Sequence, residues 1–199
     1  GQRELLLAFF GVLRGLSGQI LVDGKKVSIA SPAAASDDRI GMALIPEDRK
    51  TEGLMLPMTV RENLSFAALD RLSKASVIDR AAEQRLIDDM VELLAIKTAG
   101  LDIPVGALSG GNQQKVVIAK WLMRQPRIIL LNDPTRGIDV GTKQEIYKLL
   151  RELAGLGKSV LFYTSELEEV QRVCDRVIVI FGGRVVDTFP VELADEPAL

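Results

Sequence analysis

"ALSGGNQQKVVIAKWL" (residues 107–122) places a serine, two adjacent glycines and three uncharged amides directly ahead of the apolar run of a helix. A helix start carries unpaired N–H groups and about half a positive charge, a combination that suits an anion. Gly110 and Gly111 let a phosphate approach the backbone, and the Ser109 hydroxyl can donate to it. Asn112 and Gln113 add uncharged donors. Capping by Ser109 does not account for two glycines in a first turn, where each costs about 1 kcal/mol relative to alanine. The stretch therefore reads as a phosphate-facing helix start.

Downstream, strands and helices alternate. "RIILLN" (127–132) reads as an aliphatic strand and "GTKQEIYKLLRELAGLG" (141–157) as a helix. "SVLFYTS" (159–165) is a strand, "ELEEVQRVCD" (166–175) a helix, and "RVIVIF" (176–181) and "GRVVDTF" (183–189) are short strands. Such alternation predicts an α/β fold with a mostly parallel sheet and helices on its faces. Upstream, "TVRENLSFAALDRL" (59–72) and "ASVIDRAAEQRLIDDMVELLAI" (75–96) show helical spacing and no strand signal, so they read as a helical insertion. "GMALIPEDRK" (41–50) is a short buried strand that leaves into a polar loop at Pro46. "SPAAASDDRI" (31–40) carries Ser31 as N-cap and Pro32 at the first helical position. "GQILVDGKKVSI" (18–29) is a hairpin turning at Asp23-Gly24. "GQRELLLAFFGVLRG" (1–15) is a helix whose apolar face includes Leu5, Leu6, Phe9 and Leu13.

Bulk properties exclude several functions. The 199 residues are 47% hydrophobic and 26% charged, which suits a folded globular chain. The apolar stretch "LLLAFFGVL" falls well short of the roughly 18 residues that span a bilayer, and no basic leader precedes it. A net charge of −2, from 25 basic against 27 acidic residues, gives no electrostatic reason to expect nucleic acid. The absence of histidine removes any histidine base or metal ligand, and the single cysteine, Cys174, reads as a buried or idle thiol. The opening on Gly1 in mid-pattern reads as a piece of a longer protein.

"LSGGNQQK" (108–115) resembles the signature motif of ATP-binding-cassette (ABC) ATPases. "IGMALIPEDRKTEGLMLPMTVRENLSF" resembles the passage from the cassette core to its helical subdomain, and "IILLNDPTRGID" with "FYTSELEE" resembles the second half of a cassette. The likeness runs from Gly1 to about Phe189. It is strongest, through "PEDRK", "LSGGNQQK" and "DPTRGIDVGTKQEIY", to the second, carboxy-terminal cassette of the tandem ATPases that drive bacterial monosaccharide importers. The resemblance implies a P-loop NTPase fold in three segments. Residues 1–55 would open the ATPase core, 56–123 form the helical subdomain ending in the signature helix, and 124–199 complete the core. The first strand and most of the phosphate loop would lie upstream.

The same resemblance implies ATP and Mg²⁺ as cofactors and assigns positions to them. Gly1 would be the last glycine of the phosphate loop, with Gln2 where the lysine belongs and Arg3 where the magnesium hydroxyl belongs. The core strand should end in a magnesium-holding aspartate and a catalytic glutamate; here these are Asn132 and Asp133. Glu47 stands at the position of the usual glutamine, Ser165 at that of the switch histidine, and Asp139 is the retained acid of "RGID". No metal ligand is assigned with certainty. These departures describe a site poorly equipped for hydrolysis, so the isolated chain is expected to be inactive.

Cassettes of this family dimerise head to tail, each signature closing over the partner's nucleotide. Leu108, Ser109, Gly110, Gly111, Asn112 and Gln113 would thus serve the ATP of a second cassette, in the resembled proteins the amino-terminal half of the same chain. Membrane permease subunits would be the mechanical partners, meeting the segment from Glu47 to Leu56. A periplasmic or extracellular solute-binding protein would take part indirectly, and the cassette would sit on the cytoplasmic face of the inner membrane. The alternative is a soluble cassette ATPase acting on ribosomes or nucleic acid, which the scattered charges do not favour.

Overall fold

The computed structural model describes residues 1–15, 17–74 and 77–194; Leu16, Ala75, Ser76 and residues 195–199 lie outside the described set. The chain divides into two compact units. One comprises Gly1–Leu44, Arg127–Asp133 and Leu150–Leu199, the other Ile45–Pro126 and Pro134–Leu149.

In the first unit, helix α1 (Gln2–Phe9) is followed by a hairpin of β1 (Ile20–Val22) and β2 (Lys25–Val27). Asp23 and Gly24 both take positive φ, 51° and 72°, as a tight primed turn requires. Helix α2 (Pro32–Ser36) begins as expected, with the Ser31 hydroxyl accepting from the Ala34 N–H at 3.2 Å. Helix α1 is shorter than its periodicity suggests. Gly11 turns the chain at φ 76°, packed so closely that a methyl group there would lie 2.8 Å from the Ser31 carbonyl. Leu13, expected on the apolar face, is left exposed.

Strand β3 (Met42–Ile45) leads out of this unit. The second unit opens with a single wide turn, Arg49–Gly53, capped by the Asp48 carboxylate on the N–H of Lys50 (2.8 Å) and Thr51 (3.4 Å). Helix α3 (Val60–Ser65) starts with a capping box in which Thr59 and Glu62 satisfy each other's backbone. The fully buried Asn63 bridges back to Met55, accepting from its N–H at 2.9 Å and donating to its carbonyl at 3.0 Å. Helix α4 (Leu69–Leu72) follows.

Continuous helix was expected from Ala75, but the described residues form a two-residue hairpin, β4 (Ser73–Lys74) with β5 (Val77–Ile78). Ala75 and Ser76 themselves are not described. The β-branched pair Val77 and Ile78 takes the extended form. Helix α5 (Arg80–Leu93) then begins where Asp79 can cap it, accepting from the Ala82 N–H at 3.0 Å. Helix α6 (Gly110–Leu122) is the quoted stretch.

Strand β6 (Ile128–Asn132) returns the chain to the first unit. After helix α7 (Val140–Gly155), strand β7 (Ser159–Tyr163) pairs with β6 in parallel, Ile128 opposite Ser159 and Asn132 opposite Tyr163. The sheet order is β3-β6-β7. Buried Met42, Ala43, Ile129, Leu130 and Leu131 form its centre, the near-continuous aliphatic run of a strand covered on both faces. Helix α8 (Leu167–Val173) and the antiparallel pair β8 (Arg176–Phe181) and β9 (Arg184–Pro190) complete the described fold.

Candidate functional site

The start of α6 is built by side chains that point back into the chain. Ser109 has extended backbone, and its Oγ accepts from the Asn112 N–H at 3.4 Å and from Asn112 Nδ2 at 2.9 Å. With its lone pairs engaged, the exposed hydroxyl keeps its proton to donate outward. Asn112 Oδ1 in turn accepts from the Lys97 N–H at 2.8 Å. The structure departs from expectation at Gln113. It is buried, and its Nε2 donates to the carbonyls of Leu108 (3.0 Å) and Gly106 (3.4 Å). The helix closes on its own preceding turn, so Gln113 offers no donor to a ligand. Leu108 is buried beneath the serine.

The two glycines also answer to their own chain. A methyl group at Gly111 would lie 2.6 Å from Thr142 Oγ1 and 3.2 Å from Asp139 Oδ2. The first turn of α7 is pressed against α6 at that point. Asp139 caps α7, accepting from the Thr142 N–H and from the Thr142 hydroxyl, each at 2.9 Å. These bonds, the backbone one first, hold the Asp139 carboxyl below its ordinary range. At Gly110 a methyl group would lie 2.8 Å from Arg49 Nη2. The glycine pair thus admits close neighbours of this chain, beyond the access to a phosphate that the bare backbone suggests.

Glu47 lies in the same unit, ion-paired with Arg136, and Arg49 Nη1 donates to the Arg136 carbonyl at 3.4 Å. Farther along α6, Lys115 pairs with Glu145 at 2.5 Å, and the largely buried Lys120 donates to the Gly53 carbonyl. Burial lowers the Lys120 pKa. The 49–53 turn and the start of α7 therefore both clamp the signature helix.

In the first unit, the ends of β6 and β7 bring together Asn132, Asp133 and Ser165. Asn132 is buried and its Oδ1 has no hydrogen-bond partner. Asp133 leaves the strand at φ 45°, a left-handed conformation that aspartate tolerates, with its N–H on the Tyr163 carbonyl at 2.8 Å. The Ser165 hydroxyl donates to Asp133 Oδ2 at 3.1 Å. At the start of α1, Gly1 holds the cap position without a side-chain bond, Gln2 Nε2 donates to the Ile180 carbonyl at 3.3 Å, and Arg3 is exposed. Magnesium favours several oxygen ligands and a phosphate-bearing partner. One buried carboxylate, already engaged by Ser165, and one neutral amide oxygen do not make such a set. Among the described residues no group of three acids, cysteines or histidines could hold a metal ion. This cluster does not fit a self-sufficient magnesium–nucleotide site.

A cavity of about 530 Å³ in the first unit is lined by Gln2, Leu5, Leu6 and residues between Leu150 and Ile180, and it is largely apolar. Cys174 borders it; burial and then the neighbouring Asp175 push its thiol up to about 11, which disfavours the thiolate. Sequence reasoning gave no role to Arg49 or Arg136. Both lie within the quoted motif wording, and the signal was a cation inside each motif.

Residues 1–136 match the sequence profile of the ABC transporter family. The chain belongs to that family. The ribose import ATP-binding protein of Mesorhizobium japonicum is 80% identical over 183 residues, 92% of this chain and 36% of that protein. The xylose import ATP-binding protein of Thermoanaerobacter pseudethanolicus is 45% identical over 197 residues, 98% of this chain and 39% of that protein. The chain thus spans little more than a third of the length of these curated relatives. A nucleotide-free ATP-binding cassette from an ABC transporter superposes with a TM-score of 0.81 at 22% identity, covering 96% of this chain and 76% of that one. The cbiO1 protein of Clostridium perfringens, part of an ABC transporter complex, gives 0.78 at 27% identity, covering 96% of this chain and 73% of that one. The fold is that of an ABC ATPase cassette, a P-loop NTPase with a parallel sheet.

Proposed function

We propose that this ABC cassette is the second, carboxy-terminal cassette of a tandem ATPase that powers bacterial import of a ribose- or xylose-type monosaccharide. The names of the relatives support the solute class, and their greater length leaves room for another cassette. The observation that carries the division of labour is the contrast between the two clusters. The start of α6 offers an exposed hydroxyl proton and the N–H groups of Gly110 and Gly111, whereas the Asn132, Asp133 and Ser165 cluster offers acceptors and one engaged acid. Donors suit a phosphate; buried acceptors do not.

In this reading ATP and Mg²⁺ are held by the phosphate loop of the partner cassette, and Ser109 with the α6 start closes over the terminal phosphate. The hydroxyl and the N–H groups stabilise charge that develops on the phosphoryl oxygens. Segment 56–123 acts as the helical subdomain between the core parts 1–55 and 124–199. The segment Glu47 to Leu56, which exposes Lys50, Thr51 and Glu52, meets the permease subunits. The cassette works peripherally at the cytoplasmic face of the inner membrane, and a solute-binding protein delivers the sugar. No helix of the described residues is long and apolar enough to cross a membrane.

Cross-linking tests this reading. In the full-length protein, Ser109→Cys should form a disulfide with a cysteine placed in the partner cassette's phosphate loop, in the presence of ATP and not without it. A cross-link that ignores ATP, or none under either condition, would refute the composite site.

A further inference from the structure

We propose that Arg49 is a phosphate-binding residue beside the signature: its guanidinium fills the space left by the missing side chain of Gly110 and raises the affinity of the α6 start for the nucleotide phosphate. The inference rests on the composite-site reading above.

The guanidinium is held from one side only. Nη1 reaches the Arg136 carbonyl at 3.4 Å, Nη2 lies against Gly110, and Nε is buried with no hydrogen-bond partner. Among the described residues no carboxylate pairs with Arg49. The acids beside it are committed, Glu47 to Arg136 and Asp48 to the N–H groups of Lys50 and Thr51. A cation at the positive end of a helix is the opposite of what helix stability asks for. Asp48 feels the Arg49 charge without forming an ion pair with it. A guanidinium with no ion-pair partner among the described residues and an orphaned N–H, set against the first turn of a helix, is consistent with a phosphate as the missing anion. Arg49 also supplies a reason for Gly110 that phosphate access does not. Any side chain at Gly110 displaces the guanidinium, so the glycine's effect on activity passes partly through Arg49.

The test is steady-state ATPase kinetics of the full-length protein in its reconstituted transporter, with MgATP varied and melting temperatures recorded. Arg49→Ala should raise the KM for MgATP on the order of tenfold, the size expected for one charge-assisted contact, with a smaller change in kcat. Arg49→Lys should recover much of that loss. Gly110→Ala should cost clearly less in the Arg49→Ala background than in the native one, since the two changes remove the same arrangement. Ser109→Ala is the control. If it leaves turnover intact, the composite-site reading itself falls. If Ser109→Ala is impaired but Arg49→Ala keeps its KM, or Gly110→Ala costs the same in both backgrounds, only the role of Arg49 falls. Should Arg49→Ala fail to fold, Arg49→Lys is compared with Arg49→Gln; equal KM values for the two would overturn the proposal.

Discussion

The start of α6 and the ends of β6 and β7 have in common that polar side chains are folded back onto their own chain, yet they present opposite chemistry. At α6 the inward bonds use the acceptor of Ser109, whose Oγ takes two bonds from Asn112, and the donor of Gln113, which gives to carbonyls beneath it. What remains outward at Ser109 is its hydroxyl proton. At β6 and β7 the inward bonds use a donor, the Ser165 hydroxyl on Asp133, and an acceptor remains, the orphaned Asn132 Oδ1. The sign of what is left over, rather than the number of polar residues, decides which region can face an anion.

Breaking the first region should have the largest effect. Ser109→Ala in the full-length protein is expected to lower the ATPase rate roughly a hundredfold, the loss of one preorganised donor. Asn132→Asp with Asp133→Glu should change that rate less than about twofold, a difference of under 1 kcal/mol. Rates for both variants in one reconstituted transporter check the pair. A strong response to the acid pair alongside a weak one to Ser109→Ala would invert the comparison.

The second region can be sharpened through stability. Asn132 is 3% exposed. Asn132→Asp places a carboxylate where even a neutral amide oxygen lacks a partner. An uncompensated buried charge of that kind costs about 3 kcal/mol. Burial raises that carboxyl's folded pKa above its unfolded value of about 4, so the penalty is full at neutral pH. It shrinks as pH falls through the raised value and the group is neutralised. Urea unfolding of the variant at pH 7 and near pH 5 should show that narrowing; an equal penalty at both would place the side chain in solvent. Gly111→Ala should be milder. Its methyl would meet Thr142 Oγ1 at 2.6 Å, and overpacking of this size costs about 1–3 kcal/mol. Thr142→Ala in the same chain should restore most of the loss in a thermal melt.

Local chemistry made much of the fold legible. Asp23-Gly24 named its turn, Ser31-Pro32 its helix start, and the aliphatic run of β6 its place inside a covered sheet, because each depends on residues adjacent in the chain. What stayed hidden was set by contacts distant in sequence. Periodicity carries α1 past Gly11, whereas the chain turns there at φ 76°, packed against Ser31 and Ile29. The two-residue strands of β4 and β5 are too short to print a pattern. At the candidate site, Ser109 and the glycines were readable as a helix start. Thr142 and Arg49, which require those glycines, and the inward turn of Gln113 belong to packing that no spacing rule reports.

The smallest expected effect lies at Asp139, where the signature helix meets the cap of α7. Its carboxylate accepts from the Thr142 N–H and hydroxyl at 2.9 Å each, and these bonds favour the ionised form. The folded pKa is therefore below the unfolded one. A carboxyl shifted this way adds stability that is fully present above the unfolded value of about 4 and is lost as pH falls through the lower folded value. Asp139→Ala should thus lower the melting temperature slightly at neutral pH, and its distance from the native protein should narrow as the medium is acidified below that range. Asn132→Asp narrows in the same direction for the opposite reason, a raised pKa whose penalty disappears on protonation, so its narrowing should come at higher pH. Melting curves of both variants across pH separate the two cases. If the Asp139→Ala gap stayed constant into acid, the carboxylate would not be the group that caps α7, and the anchoring of Gly111 against that turn would need another cause.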